Sequence, residues 1–132
     1  MNSPYGTGVL YVNRNSLDKI GIENIQQHVW ELGEYCMDQL EAIGATLITH
    51  RDPERRAGII IARLYDDIEV DRRILRALHA RNIFIAQRFT DHVGGFRISC
   101  NWFNDRSDID AMIAGMKDLI ELIGRRPDYS GK

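Results

Sequence analysis

The chain has 132 residues, of which 44% are hydrophobic and 27% charged, with a formal net charge of −2. That is one domain's worth of chain, enough to bury a core, and its composition excludes a disordered, collagen-like or disulfide-scaffold protein. A slightly acidic balance argues against a nucleic-acid partner, which needs a basic face to replace phosphate counterions.

No apolar run reaches the roughly 18–20 residues of a membrane span, so no membrane partner is expected. Met1-Asn2-Ser3-Pro4 lacks the basic and apolar regions of a signal peptide. Cys36 and Cys100 stand far apart without C-x-x-C spacing, and are read as two buried, reduced thiols in a cytoplasmic protein. Lysine is scarce, with Lys19, Lys117 and Lys132 the only three among 17 basic residues.

In chain order, Val9–Val12 is a short β-prone run after Gly6-Thr7-Gly8, a glycine pair too short to cradle phosphate. Ile22, Ile25, Val29, Leu32, Cys36, Leu40 and Ile43 recur at steps of three and four, which predicts a long amphipathic helix stopped at Gly44. The acidic set Glu23, Gln27, Glu31, Glu34, Asp38 and Glu41, interrupted by one glutamine, reads as a solvated face. Ala45–Thr49 predicts a strand, Arg51–Gly58 a charged turn with Arg51, Arg55 and Arg56 in solvent, and Ile59–Ala62 a central strand. Asp66-Asp67-Ile68-Glu69 is a helix start, preferred over a cation site, with Val70, Ile74, Leu75 and Leu78 as its apolar face and Asn82 as its stop. Ile83–Ala86 predicts another strand, Arg88–Gly95 a loop, and Phe96–Cys100 a strand of clean alternation. Asp105 is the expected N-cap of a last helix carrying Ile109, Met112, Met116, Leu119 and Ile123 up to Gly124, and 125–132 a frayed tail.

The expected order is β, α, β, β, α, β, β, α. It implies an α+β two-layer sandwich: an antiparallel or mixed sheet of about four to five strands, with three helices on one face. In the Phe96–Cys100 strand, Phe96, Ile98 and Cys100 share one side and Arg97 and Ser99 the other. If the apolar side meets the helices, Arg97 stands on the bare side, where a guanidinium fork can grip a carboxylate or phosphate. His28, His50, His79 and His92 show no metal-ligand spacing, and His92 alone merits a functional test because of its place in the Arg88–Gly95 loop.

Two stretches carry a family resemblance. Arg97-Ile98-Ser99-Cys100-Asn101-Trp102-Phe103-Asn104-Asp105-Arg106-Ser107-Asp108-Ile109-Asp110 is similar to the closing segment of class V aminotransferases and cysteine-desulfurase-like enzymes. Ile20-Gly21-Ile22-Glu23-Asn24-Ile25, with Val29 and Leu32, resembles the helix entering their C-terminal small domain. The resemblance covers roughly residues 20–124 and makes 1–132 a single domain with three parts. The 1–19 segment resembles the region after the cofactor lysine, 20–124 is the small-domain core, and 125–132 is the tail.

The family depends on pyridoxal phosphate, held by a large domain for which these 132 residues have no room. The resemblance therefore implies a small domain that binds no cofactor and holds no catalytic residue by itself, and is inactive alone. Its implied partners are an amino or keto acid substrate, the lysine-bearing large domain and a possible second copy of the chain. Arg97 matches the arginine that holds the substrate α-carboxylate; Arg88, ahead of the active-site loop, is a weaker substrate-binding candidate. Asn104 matches a structural turn asparagine, and Asn101 stands where many relatives carry histidine. The Phe89–Gly95 loop holds no cysteine, which favours an aminotransferase or epimerase-like parent over desulfurases with a sulfur-accepting loop cysteine. The competing reading is a free-standing ferredoxin-like module that binds a small ligand or dimerises through Arg97 and the Arg88–Gly95 loop.

Overall fold

The computed structural model describes residues 18–124. The expected Val9–Val12 strand, the Gly6–Gly8 segment, Lys132 and the 125–132 tail lie outside the described residues. Helix α1 spans Ile22–Ala42, followed by strand β1 at Thr46–Leu47 and one 3₁₀ turn at Pro53–Arg55. Strand β2 is Ile59–Arg63 and helix α2 is Ile68–Ala80. Strands β3, Ala86–Thr90, and β4, Val93–Ser99, precede helix α3 at Arg106–Ile123. The four strands form one antiparallel sheet in the order β1-β2-β4-β3, so the apolar β2 is central as its β-branched run predicts.

All three helices lie against the same sheet face. Helix α1 crosses β2 at Gly33, where a Cβ would stand 3.9 Å from Ile60 Cδ1 and 3.3 Å from Arg56 Nη1. Helix α2 meets β3 at its first turn, where Gln87 Nε2 donates to the Ile68 carbonyl at 3.4 Å. Helix α3 packs between the other two. Tyr35 on α1 donates its hydroxyl to Asp110 at 2.5 Å, and Arg81, just past α2, pairs with Asp118 at 3.0 Å. The enclosed core comprises Leu32, Cys36, Met37 and Leu40 of α1, Ile60 and Ala62 of β2, Ile74 and Leu78 of α2, Phe96 and Ile98 of β4, and Met112 and Met116 of α3, among others. Phe96 is completely buried. Burying a side chain of this size stabilises the fold by about 1.5–3 kcal/mol.

The helix ends follow the expected chemistry. Gly44, at φ 85°, follows α1 and returns its N–H to the Glu41 carbonyl at 2.9 Å, a left-handed stop that suits glycine. Asp67 caps α2 by accepting from the Glu69 N–H at 2.9 Å, and Asn82 ends that region at φ 61°. Asp105 caps α3 in a reciprocal capping box with Asp108. The Ser107 hydroxyl, then the Asp108 and Ser107 N–H groups, hold the Asp105 carboxyl below its usual value, with His28 adding a smaller push.

Three expectations are corrected. Residues 83–85 do not form a strand: the chain runs through them as a connector, Ile83 and Ile85 pack against the core, and His79 Nε2 lies 2.9 Å from the Ile85 carbonyl. The Arg88–Gly95 segment is not a loop. It is a tight β3–β4 hairpin turning through Asp91 and His92, at φ 50° and 63°. Two consecutive positive φ values mark the turn type whose twist matches a hairpin, and aspartate tolerates that region better than most residues. Strand β1 is shorter than Ala45–Thr49, because the Thr49 hydroxyl takes the Ile61 N–H at 2.8 Å in place of a ladder carbonyl.

Asp71 is the one buried charged residue of the described core, 1% exposed. Its carboxylate accepts the Leu64 N–H at 3.2 Å and the Tyr65 N–H at 3.0 Å, fastening the end of β2 to α2. Replacing Asp71 by Ala strands both buried donors and is expected to cost about 3 kcal/mol in denaturant unfolding. A loss below about 1 kcal/mol would show that these bonds do not hold the junction. Because the Asp105 carboxyl is depressed in the folded state, its contribution is present above the unfolded value of 3.8 and is lost as pH falls through the lower folded value. Unfolding free energy measured from pH 5 down to pH 2 should therefore fall less steeply in Asp105→Asn than in the wild type.

Candidate functional site

Strand alternation settles which side chains face away from the helices. On β4, Phe96, Ile98 and the following Cys100 are buried on the helical side, so Gly95, Arg97 and Ser99 belong to the opposite face. Register extends the pattern across the sheet. Arg97 stands between Ile61 of β2 and Ala86 of β3. Gly95 faces Arg88 on β3, and continuing the β2–β4 register by one residue puts Arg63 on its other flank. Thr46 of β1 completes that row beside Arg63. The outer face thus holds two adjacent rows, Thr46-Arg63-Gly95-Arg88 and Ile61-Arg97-Ala86. None of the four strands contains an acidic residue.

Both sequence-predicted binding residues therefore share this face. Arg97 is half-buried and Arg88 exposed, and neither side chain makes an ion pair or hydrogen bond with another described residue. Arg88 sits within a hairpin strand, not ahead of a loop, which brings it onto the same face as Arg97. Arg63 was not singled out by the sequence reading, which took the apolar run to end at Ala62. The run is apolar at every position and carries no alternation in its sequence; only the observed burial pattern of the strand puts Arg63 at its next outward position. Its Nε–H is buried with no acceptor, an arrangement that costs about 1–3 kcal/mol.

The glycine pair shapes the floor. A Cβ on Gly95 would stand 2.2 Å from the Ala62 oxygen and 2.8 Å from Arg63 Cγ, so the arginine stem occupies the space a side chain would need. A Cβ on Gly94, at φ 152°, would stand 2.0 Å from the Arg88 oxygen. Neither position tolerates a side chain without displacing neighbouring backbone.

The remaining candidates have structural surroundings. His28 Nε2 lies 2.8 Å from the Asn104 carbonyl. Asn104 accepts the Asn101 N–H at 3.0 Å and donates to Asp108 at 3.1 Å, fixing the turn into α3. His50 is exposed, and His92 is at the hairpin tip, edge-on to Phe89 at 6.4 Å between ring centres. The expected solvated turn is instead clamped to α1. Arg51 reaches Glu34 at 3.0 Å, Asp38 at 2.9 Å and Glu41 at 2.6 Å, and the nearly buried Arg56 side chain pairs with Glu34. Arg55 remains exposed beside Asp52.

Cys36 and Cys100, distant in sequence, are both buried in the same core, where their thiols are neighbours. The neighbouring Cys100 thiol, and then burial, push the Cys36 thiol well above the usual range. Both cysteines lie on the helical side of the sheet, opposite Arg97, and cannot serve chemistry on the outer face. No cluster of three or more metal-ligating side chains occurs among the described residues, and no described helix is long and apolar enough to cross a membrane.

A pyridoxal-phosphate site needs a lysine for the Schiff base and a carboxylate at the ring nitrogen. Lys117 lies on α3, in a shallow groove with Ala42, Ile43, Ile120 and Glu121 in the helical layer. Lys19 is exposed ahead of α1. The strands behind the outer face supply neither lysine nor carboxylate. The strands of the outer face therefore lack both groups that the cofactor requires. What the outer face can do chemically is hold a small anion by planar, permanently charged forks.

No family model matches the chain. Over 118 residues, 82% of its length, the chain is 27% identical to a probable cysteine desulfurase of Halalkalibacterium halodurans, 28% of which is covered. Over 98 residues, 74% of its length, it is 30% identical to an uncharacterized aminotransferase of Schizosaccharomyces pombe, 23% of which is covered. The chain thus spans about a quarter of the length of these relatives. Its four-stranded antiparallel sheet backed by three helices, and this similarity over most of the chain, relate it at a distance to the class V aminotransferase and cysteine desulfurase enzymes.

Proposed function

We propose that this chain works as the small domain of a pyridoxal-phosphate-dependent enzyme of the class V type, and that Arg97 anchors the α-carboxylate of its amino or keto acid substrate. The observation that carries this reading is Arg97 itself. It is a half-buried guanidinium with no counter-ion among the described residues, projecting from a strand whose other side is locked into the core.

The role follows from the side chain's geometry. A guanidinium donates two parallel N–H bonds to a carboxylate, which fixes both the position and the plane of that group. Its β4 backbone is held on both sides, by β2 and by β3, so the anchor has little freedom at its base. Fixing the carboxylate fixes the direction of the bonds at the neighbouring Cα. Such positioning can supply several kcal/mol of the barrier lowering in a reaction at that carbon. The cofactor, its lysine and the carboxylate at its ring nitrogen would come from a large-domain partner seated over the outer face. On this reading the 132 residues alone perform no transamination or sulfur transfer.

Two measurements test it. Arg97→Lys in the full chain should weaken binding of carboxylate ligands about tenfold, since an ammonium cannot reproduce the fork; nuclear magnetic resonance titration with amino and keto acids reads the change. Equal affinity in the two proteins would remove Arg97 from the role. Pyridoxal phosphate added to the chain, followed by borohydride reduction and peptide mapping, should label no single lysine stoichiometrically. One fully modified lysine would overturn the partner-dependent reading.

A further inference from the structure

The outer face carries more positive charge than one carboxylate requires. Arg63, Arg88 and Arg97 come from three different strands into two neighbouring rows, and none of the sheet's strands holds an acid to offset them. In the first row Arg63 and Arg88 flank Gly95, and strand spacing puts their backbones about 10 Å apart. The middle position has no side chain, so both arginines can lean inward over the glycine backbone. Arg63 already does so, with its Cγ 2.8 Å from where a Gly95 Cβ would be. Its Nε–H, buried and without an acceptor, has its donor capacity unspent. Arg97 lies one row along the same face, two residues further on β4, about 7 Å away along the strand.

We propose that this face is a two-point anion site, in which Arg63, assisted by Arg88, binds a second acidic group of a ligand whose first carboxylate is held by Arg97. The inference rests on the Arg97 reading and deepens it by assigning the substrate class: amino or keto acids bearing a second carboxylate or a phosphate. The row spacing matches two acidic groups joined by a short aliphatic chain. A monoacid would leave the Arg63–Gly95–Arg88 row unused. The local excess of positive charge also draws dianions more strongly than monoanions.

The test uses the full 132-residue chain and nuclear magnetic resonance titration with four probes: L-glutamate, L-glutamine, O-phospho-L-serine and L-serine. L-Glutamate should bind about tenfold more tightly than L-glutamine, as a charge-assisted pair contributes, and Arg63→Gln should erase that preference. Arg63→Lys keeps the stem over Gly95 and should retain part of the preference, which separates loss of the fork from loss of folding. A phosphoserine preference over serine larger than that of glutamate over glutamine assigns the second group as phosphate; the reverse assigns it as carboxylate. Equal affinity for charged and uncharged members of both pairs, with binding still weakened by Arg97→Lys, would overturn this inference and leave the Arg97 reading standing. Binding of all four probes that is indifferent to Arg97→Lys would overturn both.

Discussion

The burial of Phe96 is the constraint on which the rest depends. Its ring is completely enclosed between sheet and helices, with Ile98 and Cys100 beside it on the same side of the chain. In a strand, residues one apart point to opposite faces, so sealing these side chains under the helices compels Gly95, Arg97 and Ser99 outward. A one-residue slip would bury Arg97 and expose Phe96, exchanging a well-packed aromatic for an uncompensated charge. The position of the guanidinium is thus a consequence of core packing, held by apolar contacts on the far side of the sheet.

The two glycines extend that control to the outer face. Gly94 lets the β3–β4 hairpin close against the Arg88 carbonyl, and Gly95 lets β2 approach and the Arg63 stem lie across the strand. The turn that joins β3 to β4 sets Arg88 opposite Gly95 rather than in a loop. Three arginines from separate strands therefore share a surface with no acid from those strands, while Glu34, Asp38 and Glu41 of α1 are paired on the helical side. Glu34, Asp38 and Glu41 hold Arg51, and Glu34 also holds Arg56. This segregation leaves one face of the sheet with three arginines and no acid from its own strands.

Much of this was readable from residues alone. The spacing of Ile22 through Ile43 marked α1, the Asp105–Asp108 pair marked the start of α3, and the alternation around Arg97 gave its side of the sheet, because each signal is local and repeats with the period of its element. The hairpin was missed because its turn is Asp91-His92 at positive φ, without the glycine that normally announces such a turn. The Ile83–Ala86 run has strand-like composition, but its isoleucines serve the core as a connector, an outcome decided by packing rather than propensity. Arg63, Asp71 and the Cys36–Cys100 contact depend on register and on the docking of distant segments, which a linear reading does not contain.

The most direct test of the account is thiol accessibility along β4. Arg97→Cys and Ile98→Cys variants of the full chain can be reacted with a small, water-soluble thiol reagent under native conditions, where the buried Cys36 and Cys100 provide an internal protected reference. The account predicts rapid modification at position 97 and protection at position 98 until unfolding. Rapid reaction at 98 with protection at 97 would place the guanidinium beneath the helices and contradict it.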